Sequence, residues 1–202
     1  MNVAVLASGA GTNLQALIER AHGRDGVQIV AVASDKPNAS ALARARRAGI
    51  DSNAFPRARF SDRAARDRAI ADWLGERGVQ LVVLAGYMQL LDASFLGAFE
   101  DGVINVHPAL LPAFPGLDAV GQALAYGVKV FGVTVHFVDD GVDTGPVILQ
   151  RAIELPDARD ADEVLARLHP IEHELLPEAV GLIARGAVSF DPTNRRRVVI
   201  AR

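Results

Sequence analysis

Two polar side chains, Asn105 and His107, close an otherwise apolar run of Val103, Ile104 and Val106. Side chains alternate across a strand, so residues two apart share a face, and the amide and the imidazole stand side by side. Pro108 follows at once, removes a backbone donor, fixes φ and ends the strand. A neutral donor and a titratable group are thereby held at a strand's C-terminal end, which is where open α/β sheets bind ligands. The local pattern also fits a buried strand whose polar groups are merely satisfied by hydrogen bonds, and both readings stand at this level.

A second constellation lies near the N-terminus. Val3 to Leu6 is an apolar run, Ser8-Gly9-Ala10-Gly11-Thr12-Asn13 is a turn of glycines and small polar residues, and Leu14, Leu17, Ile18 and Ala21 recur at helical spacing. Strand, glycine turn and helix together present free backbone N–H groups and a helix's positive end to an anion. Two glycines and three small polar side chains favour phosphate binding over a plain tight turn, with Thr12 or Asn13 expected to cap the helix. There is no Gly-Lys-Ser/Thr, so this is not a Walker loop, and Leu14 stands where a dinucleotide fingerprint needs its third glycine. Asp35, near the end of the next strand, is at the distance of a ribose-binding acid and keeps a nicotinamide cofactor as a weaker alternative.

Further acids occur at Asp139, Asp140 and Asp143, in a loop that is either an exposed connection or the source of a carboxylate for a site. The loop lacks the length and terminal Glu of a calcium loop. Glu172-His173-Glu174 sits between Pro170 and Pro177. Arg63, Arg66 and Arg68, with Arg57 and Arg59 before them, read as a solvated helix face, and Arg195-Arg196-Arg197 as a solvated turn. Met88 reads as core filling from composition alone.

The elements that must position these groups follow from periodicity. The chain has 202 residues, half of them hydrophobic, enough for one domain with a sizeable core. It has no cysteine, which excludes disulfides and thiolate chemistry, and its net charge of −3 gives no general attraction to nucleic acid. No apolar run reaches the length of a membrane span, and the chain opens on a strand pattern rather than a leader, so a cytoplasmic protein is expected. Strands are expected over 2–7, 27–33, 50–55, 79–85 and 103–107. Helices are expected over 41–48, 61–77 (capped by Ser61) and 119–126. After residue 127 the pattern changes. Val133, Val135 and Phe137 alternate with Thr134 and His136 as in a half-buried strand, 146–155 is another strand, and 160–185 is helical but broken or kinked at its prolines. Phe190 and 198–200 read as edge strands. The fold class is α/β: a mostly parallel twisted sheet with a Rossmann-like N-terminal half and antiparallel or mixed C-terminal strands.

Taken together, Ser8 to Asn13, Asn105-Val106-His107-Pro108-Ala109-Leu110-Leu111-Pro112, and Gly132 to Phe137 running to Asp143-Thr144-Gly145-Pro146 resemble the phosphoribosylglycinamide formyltransferases, a branch of the folate-dependent formyltransferases. The resemblance covers nearly the whole chain. It implies a single domain over 1–202, with a phosphate- and ribonucleotide-binding half over 1–100 and a catalytic, folate-binding half over 101–202. It implies transfer of the formyl group of 10-formyltetrahydrofolate to the amine of glycinamide ribonucleotide in purine synthesis, with no metal, no nucleic-acid or membrane partner, and a homodimer left open. Asn105, His107 and Asp143 match the catalytic trio. Gly11, Thr12, Asn13 and Glu172 match substrate contacts. Arg63, Met88, Gln89, Leu90, Leu91 and Asp139 match folate-site positions, which weakens the assignment of Met88 to the core. Three residues depart from the family pattern: Asp118 stands where histidine is common, Gln89 where arginine is frequent, and Pro170 lies inside a helix that others run unbroken.

Overall fold

The computed structural model describes residues 1–201 and divides into two compact units, one ending at Ile104 and the other starting at Asn105. The first unit holds strands β1 (Asn2–Leu6), β2 (Gln28–Ser34), β3 (Asp51–Ala54) and β4 (Leu81–Leu84), with helices α1 (Thr12–Arg20), α2 (Ser40–Arg47), α3 (Arg63–Gly75) and α4 (Ala93–Ala98). All its pairings are parallel and the strands run β3-β2-β1-β4. The expected apolar runs become its core: Val3 to Leu6 and Val82 to Val83 are fully buried, as parallel strands covered on both faces must be.

Strand β5 (Val103–His107) straddles the boundary between the units. The second unit continues with α5 (Ala119–Tyr126), β6 (Val130–Phe137), β7 (Val147–Glu154), α6 (Ala161–Ala184), β8 (Val188–Asp191) and β9 (Asn194–Ile200), in the strand order β5-β6-β7-β9-β8. β6–β7 and β8–β9 are antiparallel and β7–β9 is parallel, so the mixed C-terminal end is as expected. α6 packs on β6 and β7 and against α5.

Several local expectations are corrected. α1 is capped by Gly11 in the left-handed region, with no side-chain cap from Thr12 or Asn13. A Cβ on Gly11 would lie 2.8 Å from Ala41 Cα, so both the positive φ of 73° and the approach of α2 require glycine there. The cap of α3 is Asp62, whose carboxylate accepts from Ala65 N–H at 2.7 Å, not Ser61. α6 runs as one helix of 24 residues through Pro170 and Pro177, so the prolines do not split it into two segments. Its buried face (Val164, Leu168, Leu175, Leu176, Val180) outweighs the backbone hydrogen bonds that the two prolines forgo. β6 is buried from Phe131 to Phe137 rather than on one face only. Arg195 to Arg197 belong to β9, not to a turn.

Candidate active site

Asn105 and His107 end β5 and lie on one face, as the alternation requires. The loop after β6 brings Asp143 to them. His107 Nδ1 is 3.4 Å from Asp143 Oδ2, and Asn105 Nδ2 is 3.3 Å from Asp143 Oδ1. Asp143 adopts a positive φ of 53°, a conformation aspartate tolerates better than most residues. Gly116 N–H donates to Asp143 Oδ2 at 2.7 Å, and Phe114 O lies 2.8 Å from His107 Nε2. A carbonyl can only accept, so His107 Nε2 carries a proton, and Nδ1 is the position that faces the carboxylate.

His136 completes the group and was assigned no role from the sequence. It is 1 % exposed, with Nε2 3.2 Å from Asn105 Nδ2 and 3.6 Å from Asp143 Oδ1. Its Nδ1 lies 2.7 Å from Phe137 O and therefore holds a proton. A neutral His136 accepts from Asn105 at Nε2, and an imidazolium would donate to Asp143 there. The strand register slips between Val135 and His136, a bulge of the kind that re-aims a side chain beside a site. The polar member of the alternating pattern was the available signal, but periodicity alone sends such a residue toward solvent.

Burial pushes the Asp143 carboxyl upward, but hydrogen bonding from His136, the Gly116 N–H and the positive potential of His107 and His136 outweigh it, so the group sits below the usual aspartate value. Asp143 is therefore a carboxylate throughout the neutral range, able to hold a positive charge on either imidazole.

Neighbouring residues fix the approach to this group. Thr134 Oγ1 donates to Ala109 O at 2.6 Å and accepts from Leu111 N–H, and Gln150 Nε2 donates to Leu111 O at 2.8 Å. Asp118, the departure from histidine, is the N-cap of α5 and accepts from Gly121 N–H at 3.2 Å. Asp139 Oδ1 accepts from Thr144 Oγ1 and Gly141 N–H, bracing the loop that carries Asp143. A Cβ on Gly145 would overlap Phe137 O, so the packing of this loop requires glycine there. Glu172 is buried on α6.

In the first unit, Gly11 is the N-cap of α1, Thr12 and Asn13 begin its first turn, and Arg44 Nε donates to Ala10 O at 2.9 Å. Arg63 is exposed at the start of α3. Met88 and Leu90 are 57 % and 59 % exposed, which removes Met88 from the core. Gln89 Nε2 donates to Asp35 Oδ2 at 3.1 Å, so that Asp35 is drawn inward and does not present both oxygens to a ribose. Arg66 is not on a solvated face: it is 2 % exposed and paired with Asp67, which is fully buried, at 2.7 Å. Among the described residues no group of three or more His, Asp or Glu side chains is arranged to hold a metal ion, and no helix is long and apolar enough to cross a membrane.

A formyl transferase family model matches residues 1–180. The phosphoribosylglycinamide formyltransferase of Bacillus subtilis is 43% identical over 188 residues, covering 91% of this chain and 96% of that protein. The human trifunctional purine biosynthetic protein adenosine-3 is 40% identical over 96% of this chain, which spans 19% of that longer protein. The crystal structure of glycinamide ribonucleotide transformylase 1 from Symbiobacterium toebii superposes with a TM-score of 0.94 at 44% identity, over 100% of this chain and 94% of that one.

Proposed function

Because this chain belongs to the formyl transferase family, we propose that it moves the formyl group of 10-formyltetrahydrofolate to the amine of glycinamide ribonucleotide, using Asn105, His107 and Asp143. The observation that carries this reading is the Asp143 carboxylate, within 3.3–3.6 Å of Asn105, His107 and His136.

The neutral amine adds to the formyl carbon. A C–N bond forms, the carbonyl π electrons move onto oxygen, and the nitrogen becomes cationic. An amide N–H from Asn105 and an N–H from protonated His107 stabilise that oxygen, and each such donor is worth on the order of 3 kcal/mol of barrier. In the present arrangement those donors point at Asp143, His136 and Phe114 O. The contacts to His136 and Asp143, at 3.2–3.4 Å, are long, so exchanging them for an oxyanion gives up little, whereas the 2.8 Å bond from His107 Nε2 to Phe114 O is kept and orients the ring. Asp143 holds the imidazolium and relays the amine's proton through water to the departing folate nitrogen. Collapse of the tetrahedral species then breaks the bond from carbon to that nitrogen.

For the remaining contacts, Gly11, Thr12 and Asn13 take a phosphate at the start of α1, and Glu172 takes an amine or ribose group. Arg63, the Met88–Leu91 segment and the Asp139 loop take the folate. The exposed apolar side chains of Met88 and Leu90 suit a flat ring lying over the backbone between them. A steady-state assay of the purified chain with both substrates tests the reading. Formylated ribonucleotide is the expected product, and its absence with both substrates saturating would reject the assignment.

A further inference from the structure

Arg66 is the largest fully buried side chain among the described residues, and its role is not explained by the transfer chemistry. Its donors go to three places. Nε and Nη2 donate to Asp67 Oδ1 at 2.9 and 2.7 Å, Nη1 donates to Gln89 Oε1 at 3.1 Å, and Nη2 reaches Leu90 O at 3.3 Å. Asp67 in turn accepts from Asp92 N–H at 2.9 Å, and Gln89 passes the network to Asp35.

All these contacts converge on the segment between β4 and α4. That segment has neither helix nor strand, and its Met88 and Leu90 side chains face outward. Packing of these side chains therefore does not hold its shape. Three backbone points are held instead: Met88 N–H by Ser8 Oγ at 2.9 Å, Leu90 O by Arg66, and Asp92 N–H by Asp67.

The network is a poor device for stability alone. Burial pushes the Asp67 carboxyl up despite the adjacent guanidinium, so desolvation outweighs the attraction. Asp35 Oδ1 and the Tyr87 hydroxyl are buried with no hydrogen-bond partner, and each is a further penalty. A pair of apolar side chains in place of Arg66 and Asp67 would fill the same space without desolvating two charges. What apolar side chains cannot do is aim a carbonyl and an amide N–H. A planar guanidinium, always charged and with five donors in a rigid fork, does this where a lysine ammonium would not.

We propose that Arg66, acting with Asp67, is a positioning residue for the formyl donor: it sets the backbone at Gln89 to Asp92 that a reduced folate ring reads by hydrogen bonding. This rests on the assignment of that segment to the folate site. The test compares the full chain with Arg66→Lys, Arg66→Met and the double variant Arg66→Met/Asp67→Leu. The double variant removes both charges, so it folds even if Arg66→Met alone leaves Asp67 uncompensated. Tetrahydrofolate binding is measured by calorimetry, and KM is measured separately for 10-formyltetrahydrofolate and for glycinamide ribonucleotide.

In the double variant, Kd for tetrahydrofolate and KM for 10-formyltetrahydrofolate rise about tenfold or more, while KM for the ribonucleotide and kcat at saturation stay within about twofold. Arg66→Lys falls between the two. A folded double variant with unchanged folate Kd and KM would overturn the proposal, and so would an equal rise in both KM values, which marks general loosening. If the unaltered chain binds no tetrahydrofolate, the folate assignment itself fails, and the proposal with it. That failure is distinct, because it shows without any substitution.

Discussion

Asp143 and Asp67 are both carboxylates withdrawn from water, and burial pushes both upward, yet they settle on opposite sides of the ordinary aspartate value. Asp143 meets two imidazoles, an amide and the Gly116 N–H, and these favour its charge by more than burial opposes it. Asp67 meets one guanidinium and one backbone N–H, and burial prevails. The partners also differ in kind. Imidazoles exchange protons near neutrality, so a fixed charge beside them can govern chemistry. A guanidinium does not, so a carboxylate beside it can only hold shape. In the proposed reading the first cluster handles a proton and the second keeps a geometry.

The largest test of this contrast is catalytic. Asp143→Asn and His107→Ala should each lower kcat by about 10²–10⁴-fold, with a cooperative unfolding transition retained. Turnover near that of the unaltered chain would remove Asp143 from the first class. On the other side, Arg66→Met should cost about 3–5 kcal/mol in urea unfolding, since it leaves a buried charge uncompensated. Adding Asp67→Leu should restore most of that loss. If Arg66→Met unfolds no more easily than the unaltered chain, the cluster is not the rigid frame described.

An exposed aspartate calibrates both. Asp160 caps α6 by accepting from Glu163 N–H at 2.8 Å, and Asp160→Ala should cost about 1 kcal/mol without altering either KM. The subtlest difference is in pH dependence. The folded-state value of Asp143 lies below its unfolded value, so its stabilising contribution is complete above about pH 4–5 and is lost as pH falls through the depressed value. Asp67 has the opposite sign. Its folded form takes up a proton first as pH falls, and its burden on the fold lessens. Urea unfolding from about pH 6 to about pH 3 should therefore show a shallower loss of stability on acidification in Asp143→Asn and a steeper one in Asp67→Asn. Parallel curves for the two variants would show that the aspartates do not differ in this way.

Much of the framework was legible along the chain. Strands buried on both faces appear as unbroken apolar runs, as in Val3–Leu6 and Leu81–Leu84, and glycine or proline marks their ends. α5 starts and stops at Ala119 and Tyr126 as read, with Gly127 as its left-handed cap. The pairing of Asn105 with His107 needs only the two-residue period of a strand. α3 shows where such reading fails. Its buried residues Arg66, Asp67, Ile70 and Leu74 follow helical spacing, but the first two are charged, so a search for apolar periodicity assigns that turn to solvent. His136 was misjudged for the same reason, as a polar residue in an alternating strand whose second face is in fact covered.

What the sequence determined by itself is therefore everything governed by local period and backbone chemistry: the parallel strands of the first unit, the glycine turn before α1, and the common face of Asn105 and His107. The tertiary structure alone decided which charges are buried and what meets them, namely Arg66 beneath the Leu90 carbonyl and His136 beside Asn105 and Asp143. The physical reason is that the burial of a periodic or unbroken apolar segment follows from residue types and spacing within that segment. The burial of a charge depends on partners far along the chain, such as Gln89 for Arg66 and Asp143 for His107, whose positions only the folded chain sets.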